Sequence, residues 1–278
     1  MSVFVCPVCR QPLEASERQL RCPQGHSFDR ARQGYWNLLL VQRKRSRDPG
    51  DNAAMVQARR EFLDQGHYAP LSDRVNELLC ETLGGRTTAA RLLDLGCGEG
   101  YYSTRLEQAL QAAGIPSEII GLDISKHAVR AACQRSRSIQ WLVASGADMP
   151  VPDGSLDAIS LLFSRLMPEP LAKALKPGGL LLIAWPGDDH LIELRRLIYR
   201  EVRPSAYDPL AQLGDAFRLR SHEQVCYPFS LDSRESISTL LDMTPHSQRM
   251  PKEARQALED RSQLSLTLHV NLALLERL

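Results

Sequence analysis

The 278-residue sequence has no uninterrupted apolar run long enough to span a bilayer, which excludes a membrane-spanning helix. Its first residues, Met1-Ser-Val-Phe-Val-Cys6, lack the basic stretch and apolar core of a secretory signal. Seven cysteines, an odd number unevenly spread, argue against a disulfide framework. Together these absences lead to the expectation of a cytoplasmic protein. There is no internal repeat and no low-complexity region. Net charge is also scarce, at +1, so no global pull toward a polyanion exists. Its distribution is uneven, however. Residues 1–60 hold 11 Lys or Arg against 5 Asp or Glu, and the remainder holds 23 against 28. A basic first quarter on a mildly acidic body suggests that the N-terminal part meets a polyanion.

The length suits one α/β domain of about 190 residues plus an appendage. That appendage begins with Cys6-Pro-Val-Cys9, twelve further residues, and Cys22-Pro-Gln-Gly-His26. Two tight knuckles present three thiolates and one imidazole, the donor set of a closed tetrahedral zinc site. Four ligands fill the ion, so its role is structural, and binding supplies folding free energy that so small a module cannot draw from a core. Read as four unrelated reduced residues, the paired spacing has no cause.

A second stretch organises the rest of the chain. Leu92-Leu-Asp-Leu95 is an apolar strand that runs into Gly96-Cys-Gly-Glu-Gly100, and Tyr101 opens a helix. A buried strand ending in a Gly-rich turn before a helix offers backbone to a nucleotide-like ligand. Glu118-Ile-Ile-Gly-Leu-Asp123 is another strand, and an acid at its tip accepts hydrogen bonds from ribose hydroxyls. Helical stretches follow at 101–113 and 126–135, with strands at 139–144, 156–163 and 180–185. This alternation is the signature of a parallel sheet with right-handed crossovers. In the tail, a helix near 234–241 and alternating strands near 223–231 and 264–272 complete the pattern.

Between the two landmarks, Tyr35 and Trp36 either stack on bases or close the zinc module as a small core, and packing is the expectation. Arg43-Lys-Arg-Ser-Arg47 places four positive charges in five residues, a candidate phosphate contact. Asp51 is a competent cap for a helix through Met55, Val56, Phe62 and Leu63 that stops at Gly66. After a break at His67-Tyr68-Ala-Pro70, a second amphipathic helix carries Leu71, Val75, Leu78 and Leu79.

Asp94-Leu-Gly-Cys-Gly-Glu-Gly100 with Gly121-Leu-Asp123 resembles the first two motifs of class I methyltransferases that use S-adenosylmethionine (SAM), whereas the NAD-type G-x-G-x-x-G pattern is missing there. Asp153-Gly-Ser-Leu-Asp157 and Lys176-Pro-Gly-Gly179 resemble later landmarks of that fold. The resemblance implies an α/β fold, a Rossmann-like seven-stranded sheet of the class I SAM-dependent type, with the small zinc-binding module ahead of it. Cys97 sits inside the SAM turn, and a nucleophilic role is not expected. Asp148, which closes the third strand, is a generic candidate for adenine contact.

The whole combination is more specific. The Cys3His knuckles, Lys44-Arg-Ser-Arg-Asp-Pro-Gly-Asp51, Ala58-Arg-Arg-Glu-Phe-Leu-Asp64, Gly66-His-Tyr68, the SAM motif, His190-Leu-Ile-Glu-Leu194 and Leu241-Asp-Met-Thr-Pro245 resemble the bacterial 23S rRNA guanine-N(1) methyltransferases. That resemblance implies SAM as cofactor, a structural Zn2+, a hairpin loop of 23S rRNA as substrate, and a homodimer with an RNA-binding cleft. Gly34-Tyr-Trp-Asn-Leu-Leu39 looks more like the Gram-negative branch of the family. Carried over by position, Cys6, Cys9, Cys22 and His26 match the zinc ligands. Tyr68, the Gly98-Glu99 pair and His190 match residues that touch SAM, joining Gly96 and Asp123 from the motif reading.

The expected organisation is a zinc-binding module over 1–35, a helical bridge facing RNA and cofactor over 36–85, and a methyltransferase domain over 86–278. Two rival functions stand beside the rRNA reading. One is methylation of a small metabolite, which needs neither the zinc module nor the basic quarter. The other is an inactive zinc-dependent RNA-binding or assembly factor, against which the intact Asp94, Gly96, Gly98, Glu99 and Asp123 set argues. No residue is assigned as catalytic base.

Overall fold

The computed structural model describes residues 3–44, 46–199, 201–203, 205–244, 250 and 252–278. Arg45, in the basic run, and Pro245, which ends the Leu241-Asp-Met-Thr-Pro block, lie outside the described residues. Three short antiparallel strands, β1 (Glu14–Ala15), β2 (Gln19–Arg21) and β3 (Ser27–Asp29), form the N-terminal ribbon, with Glu14 opposite Arg21 and Leu20 opposite Phe28. The chain then runs through β4 (Trp36–Asn37), α1 (Ala53–Asp64), α2 (Ala69–Leu83), β5 (Ala90–Leu95), α3 (Tyr101–Ala112), β6 (Ser117–Asp123) and α4 (Lys126–Arg135). Next come β7 (Gln140–Val143), β8 (Leu156–Leu162), α5 (Pro168–Ala174), β9 (Leu175–Pro186), α6 (Ile192–Ile198), α7 (Pro209–Leu213), β10 (Phe217–Leu231), α8 (Arg234–Met243), α9 (Lys252–Glu259) and β11 (Leu264–Arg277).

Among the described residues the main sheet has eight strands in the order β10-β11-β9-β8-β5-β6-β7-β4, parallel from β9 to β4 and antiparallel at the β9, β11 and β10 end. The chain moves outward from β5 through β6 to β7, then returns past β5 to β8 and β9. This reversal leaves a crevice outside the carboxyl ends of β5 and β8, where open α/β sheets bind ligands. β8 is buried along its whole length, as a strand covered on both faces must be. Successive residues feed opposite layers. Leu92, Ala158 and Leu182 join the apolar cluster shared with α2, α3, α4 and α8, whereas Leu93, Ile159 and Ile183 join the other face.

The expected seven strands therefore become eight, because Trp36 and Asn37 pair in parallel with Leu142 and Val143. These two residues belong to the sheet and precede the helices of the following segment. Trp36 shares a core with Phe4, Leu13 and Leu20, and Tyr35 is buried on the opposite side with Phe62 and Leu63, so both aromatics pack. The connection from β7 to β8 carries only a short 3-10 turn at Gly146–Asp148, and the ribbon covers the sheet there. Phe4, Leu13 and Leu20 share one cluster with Met149 and Val151. Val5 N–H donates to Pro150 O at 3.0 Å, and Arg10 donates to Met149 O at 2.9 Å and to Val151 O at 3.0 Å. The zinc module thus takes the place of a crossover helix.

The cap of α1 is Asn52, whose side chain accepts from Met55 N–H at 3.0 Å, one residue later than expected. Asp51 instead pairs with Arg59 on the same helix. Asp157 lies at the far end of β8, where it accepts from Arg91 N–H at 2.9 Å, Arg86 at 2.6 Å and Lys176 at 2.8 Å. That landmark is a structural clamp on the strand entrances.

Candidate cofactor cleft and metal centre

The metal centre is built by local turns. Arg10 N–H donates to Cys6 O at 2.8 Å, and Cys22 N–H donates to His26 O at 3.0 Å, so each knuckle folds both donors inward. The four ligand atoms of Cys6, Cys9, Cys22 and His26 lie within 4.8 Å of one another. His26 Nδ1 is 3.6 Å from Cys6 Sγ and 3.3 Å from Cys22 Sγ, and the sulfurs of Cys9 and Cys22 are 3.6 Å apart. A zinc tetrahedron with Zn–S of about 2.3 Å and Zn–N of about 2.0 Å has edges of roughly 3.5–3.8 Å. The donor set fits. Burial acts to raise the Cys22 thiol, but hydrogen bonds to the His26 side chain and the turn backbone outweigh it and bring it down to about 7. That moves it toward the thiolate a metal requires.

A cavity of about 890 Å³ opens at the carboxyl end of the sheet, beside β5 and β8. Tyr68, Gly96, Gly98, Glu99, Asp123 and His190 all line it. The Gly turn is pinned by Gly96 N–H and Cys97 N–H, which donate to Leu122 O at 2.8 and 3.1 Å. At Gly96, φ is +81°, and a Cβ would lie 2.3 Å from Ser164 Oγ, so no side chain fits. At Gly98 the φ of +55° is again left-handed, but nothing lies within 4 Å of where a Cβ would stand, so the backbone is open to a ligand.

Asp123 accepts from Gly98 N–H at 2.9 Å and from Ser125 N–H at 2.7 Å, which lock its carboxylate at the strand tip. Burial raises its pKa against those two donors. Asp94 is fully buried and accepts from Ser103 at 2.5 Å and Ser160 at 3.0 Å. Burial, assisted by nearby Asp123 and opposed by the two hydroxyls, pushes it up to about 6. Glu99, 2% exposed, is raised by burial and held by Arg135, which also donates to Asp64 at 2.7 Å. Its Oε1 is buried with no partner among the described residues. Three carboxylates lining the cavity, one of them with a buried oxygen that has no partner among the described residues, suit a ligand that carries positive charge and hydroxyl donors, which SAM has.

Tyr68, at the N-terminus of α2, is buried against Phe62 and Phe229. His190 Nδ1 accepts from His269 N–H at 3.3 Å, which assigns the ring proton to Nε2. That nitrogen then donates to Tyr68 Oη at 3.4 Å and leaves the phenol proton for a ligand. Leu191, the next residue, has a φ of +50° that turns the chain into α6 behind His190. By contrast Asp148 meets Arg10 of the ribbon at 3.5 Å and does not line the cavity. Cys97 is buried beneath the turn, and burial raises its thiol well above the ordinary range, so it is inert.

A zinc-ribbon family model described as RlmA, N-terminal, matches residues 4–47, and a methyltransferase-domain model matches 92–179. The chain is 36% identical over 245 residues to the 23S rRNA (guanine(748)-N(1))-methyltransferase of Streptomyces fradiae, covering 87% of this chain and 84% of that one. It is 30% identical over 277 residues to YxjB of Bacillus subtilis, which carries a 23S rRNA (guanine-N(1)-)-methyltransferase name provisionally, covering 98% and 96%. The chain belongs to the 23S rRNA (guanine-N(1)-)-methyltransferase family. Like that family it joins a zinc-ribbon module to a SAM-dependent methyltransferase domain.

Motif reading missed part of this family member's cleft. Gly50, Asp51 and Arg59 line it, because the Asp-Pro-Gly-Asp block packs on the tip of β6, where Ser125 Oγ donates to Asp51 O at 2.6 Å. The block was legible as distinctive and as part of a segment expected to face the cofactor, but which of its residues reach the cleft was not. Phe163, Ser164 and Arg165 line the opposite wall. Their only signal is position, immediately after a buried strand at the reversal of the sheet order.

Proposed function

We propose that the protein transfers a methyl group from SAM to ring nitrogen 1 of a guanine in a hairpin loop of 23S ribosomal RNA. The observation that carries this reading is a similarity over nearly the whole chain, 98% of it at 30% identity to YxjB of Bacillus subtilis and 87% of it at 36% identity to the Streptomyces fradiae enzyme. Residues 1–35 serve as the zinc module, 36–85 as the bridge to RNA and cofactor, and 86–278 as the catalytic domain. Tyr68, Gly96, Gly98, Glu99, Asp123 and His190 hold the cofactor, and Cys6, Cys9, Cys22 and His26 hold the zinc. The enzyme works in the cytoplasm as a homodimer. No helix among the described residues is long and apolar enough to cross a membrane.

When bound, SAM supplies a methyl group on a sulfonium, so transfer depends on alignment more than on covalent catalysis. The chain's contribution is to hold both reactants. Asp123 and Glu99 offer acceptors at the cleft floor, and the open backbone at Gly98 permits close approach. Ring nitrogen 1 of guanine lies on the pairing edge and carries a proton, so the base must leave its helix or be presented in a loop before attack.

The test is a reverse-transcription stop. Purified protein and SAM are incubated with unmodified 23S rRNA, and primers are extended across its hairpins. A SAM-dependent stop one nucleotide short of a single guanine is expected, and its position identifies this chain's target. SAM binding without any stop, on free rRNA and on ribosomal precursors alike, overturns the reading in favour of a small methyl acceptor.

A further inference from the structure

The wall of the cleft formed after β8 combines a strained aromatic residue with an exposed cation. Phe163 has a φ of +54°, in the left-handed region that is strained for a side-chain-bearing residue. It is also 39% exposed, one of the few large apolar side chains among the described residues left in solvent. Strain and exposure together in an apolar ring mark a position shaped for an occupant. The position is rigid. Phe163 N–H donates to Ala184 O at 3.0 Å, and Ser164 wedges against Gly96, so the ring is tied to the turn that holds the cofactor. His190 stacks on it at 6.1 Å with 28° between planes, and Tyr68 approaches at 6.4 Å with 60°.

Two positions on, Arg165 also lines the cleft and is exposed. Arg59, Arg74, Arg86, Arg91, Arg105 and Arg135 each pair with a carboxylate. Arg165 makes no hydrogen bond or ion pair among the described residues. Tyr207, 43% exposed, and the amide of Gln212 line the same cleft. An aromatic face, an uncommitted cation and an amide next to a methyl-donor site make up the chemistry of an extruded nucleotide: base stacking, phosphate pairing and edge hydrogen bonding.

We propose that Phe163 is the platform on which the target guanine stacks once it leaves its loop, and that Arg165 pairs with a phosphate beside that nucleotide. This deepens the rRNA reading above and rests on it.

The test uses the rRNA hairpin that the wild-type protein modifies, in two forms: intact, and with an abasic site at the target nucleotide. Affinity for each is measured by fluorescence anisotropy over a salt series, with SAM affinity measured alongside. Phe163→Leu is expected to weaken binding of the intact hairpin by about 5- to 150-fold, the range of one base–aromatic stack. It should leave binding of the abasic hairpin at the wild-type level. Phe163→Tyr, which keeps a π-face, should recover most of that loss. Arg165→Ala should lower the slope of log affinity against log salt by about one on both RNAs, and Arg165→Lys should restore it.

An equal loss on both RNAs with Phe163→Leu, or a parallel fall in SAM affinity, assigns Phe163 a structural role and overturns the platform. An unchanged salt slope with Arg165→Ala overturns the phosphate contact. A wild-type protein that makes no stop overturns the underlying reading, and this proposal with it.

Discussion

At the scale of single residues, Asp94 has the clearest consequence. Its ordinary pKa near 3.8 rises to about 6 on burial. Across that window the folded protein holds a proton that the unfolded chain has released, so stability falls as pH rises, by about 3 kcal/mol in all. A cationic ligand beside the carboxylate opposes this by favouring the charged form. SAM affinity is therefore expected to rise from about pH 5 to about pH 7, with proton release on binding in the lower part of that range. Calorimetry in buffers of different ionisation enthalpy measures both, and a flat profile would show that Asp94 is uncoupled from the ligand. Glu99 makes a second case, since its Oε1 is buried without a partner among the described residues. Glu99→Gln keeps the shape but weakens that acceptor and its pairing with Arg135. An increase of about tenfold or more in the dissociation constant for SAM is expected, the size of one lost charged hydrogen bond.

Among the elements, the turn after β5 and the ribbon differ in what holds them. The turn depends on absent side chains. Gly96→Ala introduces a Cβ against Ser164 and a left-handed alanine, for an expected loss of about 2–4 kcal/mol and of SAM binding. Adding Ser164→Gly should return part of the thermal stability by removing the clash, though not the backbone strain. The ribbon depends on its metal. Chelation, or Cys9→Ser, is expected to expose amides over residues 4–38, including Val5, whose N–H is held by Pro150 O. Hydrogen exchange reads this directly. Protection from β5 to β9 should persist, because one face of those strands keeps a core to which β1–β3 contribute nothing. Unchanged exchange in the ribbon would mean that it folds without metal.

For the whole molecule, the charge asymmetry of the sequence becomes a question of RNA affinity. The basic first quarter leads through the Asp-Pro-Gly-Asp block to the cleft, which Gly50, Asp51 and Arg59 line. Hairpin affinity is expected to fall steeply with salt. Arg43→Ala with Arg45→Ala should reduce the slope by about two if both side chains meet phosphates. A slope equal to the wild type's would leave the basic run as a solvated face.

The sequence by itself determined whatever is local. Zinc knuckles need only tight turns between near neighbours, and their four ligands were readable from spacing. Strand β5, its Gly turn and Asp123 followed from a buried strand, a backbone that tolerates positive φ, and an acid at the next strand tip. The alternation of strands and helices likewise predicted the parallel sheet with its crossovers.

Tertiary structure decided whatever depends on which distant surfaces meet. Trp36 and Asn37 became a strand only because the edge of β7 was free beside them. Asp148 was drawn to Arg10 because the ribbon, not a helix, covers that face. Asn52 and Asp51 are both competent caps, and the ion pair with Arg59 assigned Asp51 its other role. Phe163, Ser164 and Arg165 carry no motif. Their place opposite the Gly turn arises where β8 returns beside β5, a pairing between residues about seventy apart in sequence that no local period encodes.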